Sequence, residues 1–320
     1  MSFQILHILI HGCSLHKERG QLVMRCDGAG ERSCALEDLR AVVIAARGVS
    51  LSSDLVSALC RNNTVILHCD EKYCPCGVTA PLAHTTRAEV LKHQCALNSA
   101  SHRRLWERIV TDKVENQARA LQLLGAAFGI PRKSGATVPD ESAAARFYWK
   151  SYFQHLQMPE EVRDRDNGTP INNMLNYGYA VLSALVHRSV VAHGMLPEIG
   201  FHHQPHFAGY PLVYDLMEPF RPFVDVMLAG FWSVCEDNGE RRFRAWCKAV
   251  AQALLDIRLE TPCGKLKLLY ALDVYAESIA GCLEENSIRS YWSPILEKQS
   301  FQNGLDHDDV RSAGDDGGGT

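Results

Sequence analysis

The chain has 320 residues, 46% of them hydrophobic and 22% charged, with a formal charge of −4 at pH 7. That is enough apolar material for one or two folded domains, and the net charge does not announce a nucleic-acid binder. No apolar run approaches the ~20 residues that span a bilayer, the opening MSFQILHILIHGC lacks the basic flank and cleavage site of a secretory leader, and the twelve cysteines, several in apolar runs (Cys60, Cys247, Cys282), read as thiols of a reducing cytoplasm.

Residues 1–84 read as mostly β. FQILHILI, QLVMRC, AVVIAA and TVILHC are short β-branched or apolar runs separated by polar, glycine-containing stretches. One helix interrupts them, SSDLVSALCRNN, with Ser52 or Ser53 as N-cap and Asn62–Asn63 at its exit. The following HCDEKYCPCG holds His68, Cys69, Cys74 and Cys76, but a single C-x-C without a second pair is not the spacing of a structural zinc site.

From about residue 86 the texture turns helical. ARALQLLGAAFGI is rich in helix formers. PDESAAARFYWKSYFQHL starts a helix capped by Asp140, and TPINNMLNYGYAVLSALVHRSVVAHG one with Thr169 as N-cap, Pro170 at its first position and Gly194 as its stop. LKLLYALDVYAESIAGCLE is another amphipathic helix, and there is no internal repeat. The class expected is α+β, split near residue 85 into an N-terminal β-rich domain (1–84) and a larger all-α C-terminal domain (85–302). Residues 303–320 carry five Asp and one Arg, so the tail holds −4 while residues 1–302 sum to zero. Its Gly, Asp and Ser content cannot offset the entropy of ordering, and the tail is expected to be disordered.

Charge is uneven within the neutral body. Residues 87–133 carry Arg87, Lys92, Arg103, Arg104, Arg108, Lys113, Arg119, Arg132 and Lys133 against Glu89, Glu107, Asp112 and Glu115, a net of +5. ERRFRAWCK (240–248) is a second basic run. Such clusters either steer a polyanion or are solvated helix faces.

The chemistry concentrates in GFHHQPHFAGYPLVYDLMEPFRPFVD. Its loop carries His202, His203 and His206, and YDLMEPFRP then begins a helix. Asp215 and Glu218 form a D-x-x-E pattern that is either a capping box or one end of a ligand set; Pro219 fits a first turn, whereas Pro222 kinks or loosens the next. Glu141, opening a different helix, suits either the helix dipole or a ligand role. One imidazole with two carboxylates is a hard, partly nitrogenous donor set that leaves positions for water and phosphate oxygens, as Mg²⁺ or Mn²⁺ requires.

LEDLRAVVIAARGVSLSSDLVSAL, NNTVILHCDEKYCPCG, ESAAARFYW, INNMLNYGYAVLSALVHR, HGMLPEIGFHH and YDLMEPFRPFVD, in this order and spacing, resemble the CRISPR adaptation integrase family, the larger subunit of the complex that inserts new spacers. The likeness is greatest to the version in type II systems and runs to about residue 290. It implies a helical domain with a Mg²⁺- or Mn²⁺-binding catalytic site made of Glu141, His203 and Glu218. His203 has the family's spacing to the acid; His202 is the near alternative, His206 an extra, and Asp215 a helix cap or an outer support.

The resemblance also implies a cytoplasmic enzyme whose N-terminal domain makes dimer and partner contacts. Its homodimers flank a dimer of a small ferredoxin-like subunit, and this heterohexamer carries captured DNA to the leader end of a repeat array. The reaction implied is attack of a DNA 3′-hydroxyl on a repeat phosphodiester, with cutting when water attacks instead. A stand-alone metal-dependent DNA repair nuclease and a catalytically silent scaffold are the other readings. Cys74, Cys76 and the acidic tail have no counterpart in the family.

Overall fold

The computed structural model describes residues 4–26, 30–71, 73, 75–81, 88–166, 168–203, 209–236 and 238–301. Arg87, Cys74, His206 and the acidic tail lie outside them. The chain opens with β1 (Gln4–Ile8), β2 (Ser14–Glu18), β3 (Gln21–Cys26), β4 (Gly30–Ala35), β5 (Leu39–Ile44), β6 (Ser50–Leu51), α1 (Ser53–Arg61), β7 (Val65–Cys69) and β8 (Pro75–Thr79). One sheet runs β1-β5-β7-β8, its first three strands parallel and β8 antiparallel to β7. The other runs β4-β3-β2-β6.

The first sheet is buried on both faces, which is why AVVI has no polar alternation. Ala41, Val43 and Leu67 face the helical half, while Val42, Ile44 and Ile66 face Leu15 and Leu22 of the second sheet. The core is therefore continuous between the strands and the later helices: α5 packs on β5 and β7, and α8 on β1. The four apolar runs anticipated as strands hold β1, β3, β5 and β7. The polar strands β2, β4 and β8 were invisible to hydrophobic patterning; β2 and β3 are joined at Arg19 and Gly20, both at positive φ (47° and 79°), as a tight hairpin turn requires. Ser52 caps α1, its hydroxyl accepting from the Leu55 N–H at 3.3 Å.

The remainder is α2 (Ala88–Ala96), α3 (Ser99–Leu123), α4 (Glu141–His155), α5 (Pro170–Ala192), α6 (Pro211–Met217), α7 (Arg221–Val234), α8 (Gly239–Asp256), β9 (Arg258–Thr261), β10 (Gly264–Lys267) and α9 (Leu268–Glu284). The expectation of an all-α second half is thus corrected: β9 and β10 pair antiparallel between α8 and α9, with Leu259 buried and Arg258, Glu260 and Lys265 exposed on the other face. The alternation in RLET and GKLK is too short to register as a strand by pattern.

Asp140 caps α4 as expected, accepting from the Ala143 N–H at 3.1 Å. Thr169 sits at the N-cap of α5 without a side-chain cap bond, Pro170 opens the helix, and Gly194 lies just past its end at φ +76°. Helix α5 is buried nearly all round, and a Cβ on Gly178 would stand 2.5 Å from Val224 Cγ1 and 3.3 Å from Trp246 Cζ2. Glycine there lets α7 and α8 approach the central helix. No helix among the described residues is long and apolar enough to cross a membrane.

Candidate active site

Glu141 is the first residue of α4, and Glu218 opens a 3-10 turn, Glu218–Phe220, between α6 and α7. Pro219 and Pro222 explain that turn: neither offers an N–H to a continuous helix, so the chain stops and restarts with Pro222 in the first turn of α7. The helix begins earlier than the YDLMEPFRP pattern suggested, at Pro211. Asp215 and Glu218 therefore form no capping box.

The two glutamates meet on a third side chain. Lys113, in the middle of α3, places its Nζ 2.9 Å from Glu141 Oε1 and 2.7 Å from Glu218 Oε2. The Glu218 carboxylate is 6% exposed, that of Glu141 35% and the Lys113 side chain 15%. Arg221 flanks the pair, its Nε donating to Glu218 Oε1 at 3.0 Å. Burial alone would push the Glu218 carboxyl up; Arg221 and Lys113, with a contribution from His203, overcome it and hold the carboxyl down at about 2. For Lys113, burial pulls downward, and the two carboxylates more than reverse it.

His203 lies on the turn beyond α5. Asp215, fully buried in α6, holds this turn. Its Oδ2 accepts the backbone N–H of Phe201 and, at 3.0 Å, that of His202. Its Oδ1 accepts the His203 N–H at 3.1 Å and lies 2.6 Å from His203 Nδ1. A carboxylate acceptor places the imidazole proton on Nδ1 and leaves the lone pair on Nε2, the arrangement found behind metal-bound histidines. Gly200 permits the approach, since a Cβ there would stand 2.7 Å from Asp215 Oδ2 and from Pro211 Cβ. Upstream, Gln94 of α2 pins the loop: its amide donates to the carbonyls of Leu196 and Ile199 and accepts the Leu196 N–H, each at 2.9 Å. Trp106 of α3 stacks flat on His202, ring centroids 4.2 Å apart, and meets the edge of His203 at 5.9 Å.

Of the three residues expected as ligands, Glu141 and Glu218 thus converge on one cation, and His203 lies near enough to Glu218 to lower its pKa. Among the described residues no three His, Cys, Asp or Glu side chains are gathered at ligand distance as they stand. The donors nonetheless suit a hard divalent ion: an acid pair already sharing a cation, one of its carboxylates buried, and an imidazole with Nδ1 engaged. His202 is turned onto Trp106 instead, and His206 lies outside the described residues. Sequence reasoning missed Lys113, counted only as one of a basic cluster, along with Gln94, Gly200 and Asn116. Asn116 of α3 donates to the carbonyls of Pro219 (2.8 Å) and Pro294 (2.9 Å) and accepts the Leu296 N–H (3.0 Å), tying the Glu218 turn to the C-terminal segment. The one signal available was spacing, because Lys113 and Asn116 are three apart and share a face of α3.

The basic cluster on α3 is largely spent internally. Besides Lys113, Arg108 pairs with buried Asp112 (3.1 Å), and Arg103 and Arg119 lie near Glu107 and Glu115. Arg104, Arg132, Lys133, Arg241 and Lys248 are exposed.

A family model described as CRISPR associated protein Cas1 matches residues 6–129 and 139–233. A CRISPR-associated endonuclease Cas1 from Neisseria meningitidis serogroup C is 31% identical over 228 residues, covering 68% of this chain and 73% of the relative. Among solved structures, a casposase bound to integration product superposes with a TM-score of 0.74 at 17% identity, over 95% of this chain and 98% of that one. A Cas1 protein from Thermotoga maritima gives 0.72 at 15%, over 88% and 97%. A chain of a Cas6-RT-Cas1–Cas2 complex gives 0.64 at 14%, over 91% of this chain and 36% of the larger one. At these identities the structural likeness is one of fold.

Proposed function

The chain belongs to the Cas1 family of CRISPR-associated proteins, and from that premise we propose that it is a DNA integrase and endonuclease of CRISPR adaptation, with Glu141, His203 and Glu218 as its catalytic and metal-binding residues. The observation that carries this reading is the meeting of Glu141 and Glu218, 77 positions apart in sequence, on a single cation beside an imidazole oriented by Asp215. The casposase neighbour, bound to an integration product, and the neighbour assembled with Cas2 support the same direction.

The reaction joins a DNA 3′-hydroxyl to a phosphodiester of the repeat: the new P–O bond forms as the bond to the old 3′-oxygen breaks, and that oxygen leaves as a hydroxyl. A bound Mg²⁺ or Mn²⁺ would neutralise charge on the phosphoryl oxygens and hold them for in-line attack. Glu141 and Glu218 supply the negative charge that retains the cation. Buried Glu218 is fixed by Arg221, while the more open Glu141 faces the side from which DNA approaches. Asp215 keeps His203 in the tautomer whose Nε2 has a lone pair. Exposed Arg104, Arg132, Lys133, Arg241 and Lys248 are the side chains available to backbone phosphates, which makes affinity fall steeply with salt. We further propose a homodimer that contacts a small ferredoxin-like subunit through its β-rich half, two such dimers completing a heterohexamer on captured DNA.

Strand transfer tests the reading. Full-length protein is incubated with 3′-hydroxyl DNA and a repeat-bearing plasmid in Mg²⁺ or Mn²⁺, with and without the small subunit. Joined products that disappear in Glu141→Ala and Glu218→Ala support it. Cutting without joining in both mixtures would favour the stand-alone repair nuclease, and transfer that survives either variant removes that residue from the site.

A further inference from the structure

The side chain between the two acids is not needed to explain strand transfer, and it contacts the carboxylates that would hold a divalent ion. Lys113 Nζ contacts Glu141 Oε1 at 2.9 Å and Glu218 Oε2 at 2.7 Å. Arg221 contacts the other oxygen of Glu218 at 3.0 Å. Two carboxylates and two cations leave the cluster neutral. A divalent ion entering with both cations in place would bring it to +2 in a largely buried setting, which is costly. The ion and the ammonium also need the same oxygens. Arg221 is held elsewhere as well, its guanidinium lying 4.7 Å over the ring of Tyr179, whereas Lys113 is held through Glu141 and Glu218.

We propose that Lys113 is a built-in competitor of the metal: it closes the Glu141–Glu218 pair in the metal-free protein and is displaced when a divalent ion loads. This rests on the metal-binding reading of the acid pair. In the metal-free protein the ammonium keeps two like charges from repelling each other in a partly buried site. Loading is then an exchange of one cation for another within a preformed pair. The exchange leaves the site with excess positive charge, which the phosphates of bound DNA neutralise. Metal and DNA therefore bind with positive cooperativity, and metal alone binds weakly.

The test uses full-length wild type, Lys113→Met and Glu218→Gln, titrated with Mn²⁺ by calorimetry without DNA. Lys113→Met is expected to bind Mn²⁺ about tenfold tighter or more, the scale on which a unit charge at contact opposes a divalent ion even at the dielectric constant of water. Binding no tighter than wild type overturns the proposal. Undiminished Mn²⁺ binding by Glu218→Gln would instead remove the metal-site reading itself, so the two failures are distinguishable. A second measurement needs no variant. Amine-directed reductive methylation of wild type, read by peptide mass, should leave Lys113 protected without metal and modified when Mg²⁺ is present. Unchanged labelling of Lys113 at saturating Mg²⁺ also overturns the proposal.

Discussion

Replacing Asp215 by Asn keeps the side chain's shape and removes its charge. Asp215 accepts four hydrogen bonds: two at Oδ2, from the N–H groups of Phe201 and His202, and two at Oδ1, from the N–H and Nδ1–H of His203. An amide has one acceptor oxygen. With that oxygen at the Oδ2 position, the NH₂ faces His203. The backbone N–H of His203 then meets a donor and goes unsatisfied, at a cost of about 1–3 kcal/mol. The imidazole can still pair with the NH₂, but only by accepting at Nδ1, which moves its proton to Nε2. The Nε2 lone pair is lost. Asp215→Asn should therefore fold with stability lowered by about 2–4 kcal/mol, once the weakening of the charge-assisted bonds to Phe201 and His202 is included. Strand transfer should fall about 10–100-fold, the usual effect of removing the group that orients a metal-bound histidine. Urea unfolding and the strand-transfer assay read the two quantities. A variant within 0.5 kcal/mol (roughly the scatter of neutral surface changes) and twofold of wild type would show that Asp215 orients nothing.

Gly200→Ala brings a Cβ to 2.7 Å from Asp215 Oδ2 and 2.9 Å from the Pro211 carbonyl carbon, where no flexible group can give way; transfer should drop at least as far as in Asp215→Asn, and full activity would place the turn elsewhere. Glu141→Ala and Glu218→Ala should both lose transfer but differ in stability: removing Glu141, 35% exposed, takes one carboxylate from Lys113, whereas removing Glu218, 6% exposed, takes one from both Lys113 and Arg221. The larger loss of unfolding free energy in urea is expected for Glu218→Ala, about 3 kcal/mol, and equal losses count against the buried cluster. Burial pushes the carboxyls of Asp112 and Asp225 up to about 6 from 3.8, although hydrogen bonds from Tyr291, and from Tyr179 and Tyr148, respectively oppose it. Each then contributes stability that is complete below pH 3.8 and lost as pH rises through about 6. Burial holds His7 and His187 down at about 4, with the opposite effect on acidification, so the variant must be compared with wild type. Asp225→Asn should gain less, or lose more, than wild type in urea midpoint between about pH 7 and about pH 5 without metal; identical changes would refute the assignment.

The parts of the fold that were legible in the sequence are those where one residue type satisfies one local rule. Ser52 and Asp140 cap their helices because a short side-chain acceptor meets an unpaired N–H at that position, and β5 and β7 are apolar because both faces of their sheet are covered. The strands β2 and β4 were not legible. Their outer sheet presents much of SLHKE and GERSCA to solvent, and for β2 the tight turn at Arg19 and Gly20, rather than hydrophobic patterning, sets the register on β3. Glu141 and Glu218 could be picked out by motif, but that they share Lys113 could not, since only its spacing from Asn116 sets this lysine apart from its neighbours on α3. Asp215 shows the limit most clearly: three residues before an acid and near two prolines, it looks like a cap, and its partners are 12 to 14 residues upstream.

The same device recurs around the site, and it bears on how a loop-built centre can be stiff enough for catalysis. Three segments around the site are each pinned by one polar side chain from a helix: the approach to His203 by Gln94, the histidine turn by Asp215, and the 3-10 turn at Glu218 by Asn116. Each pin bonds the backbone of the loop. The sequence of a pinned loop can therefore vary while its path is kept, but each pin is intolerant, because deleting it leaves two or more backbone groups without their partner. Two of the pins, Gln94 and Asn116, act on the chain beside the proposed ligands rather than on the ligands themselves. Asn116→Ala should show this directly: it frees the carbonyls of Pro219 and Pro294 and the Leu296 N–H, and should cost about 3 kcal/mol or more in urea unfolding. It should also loosen Glu218 through its neighbour Pro219, so that transfer falls while Glu141 and His203 stay in place. A variant that is destabilised but transfers DNA at the wild-type rate well below its unfolding midpoint would separate the pin from the chemistry.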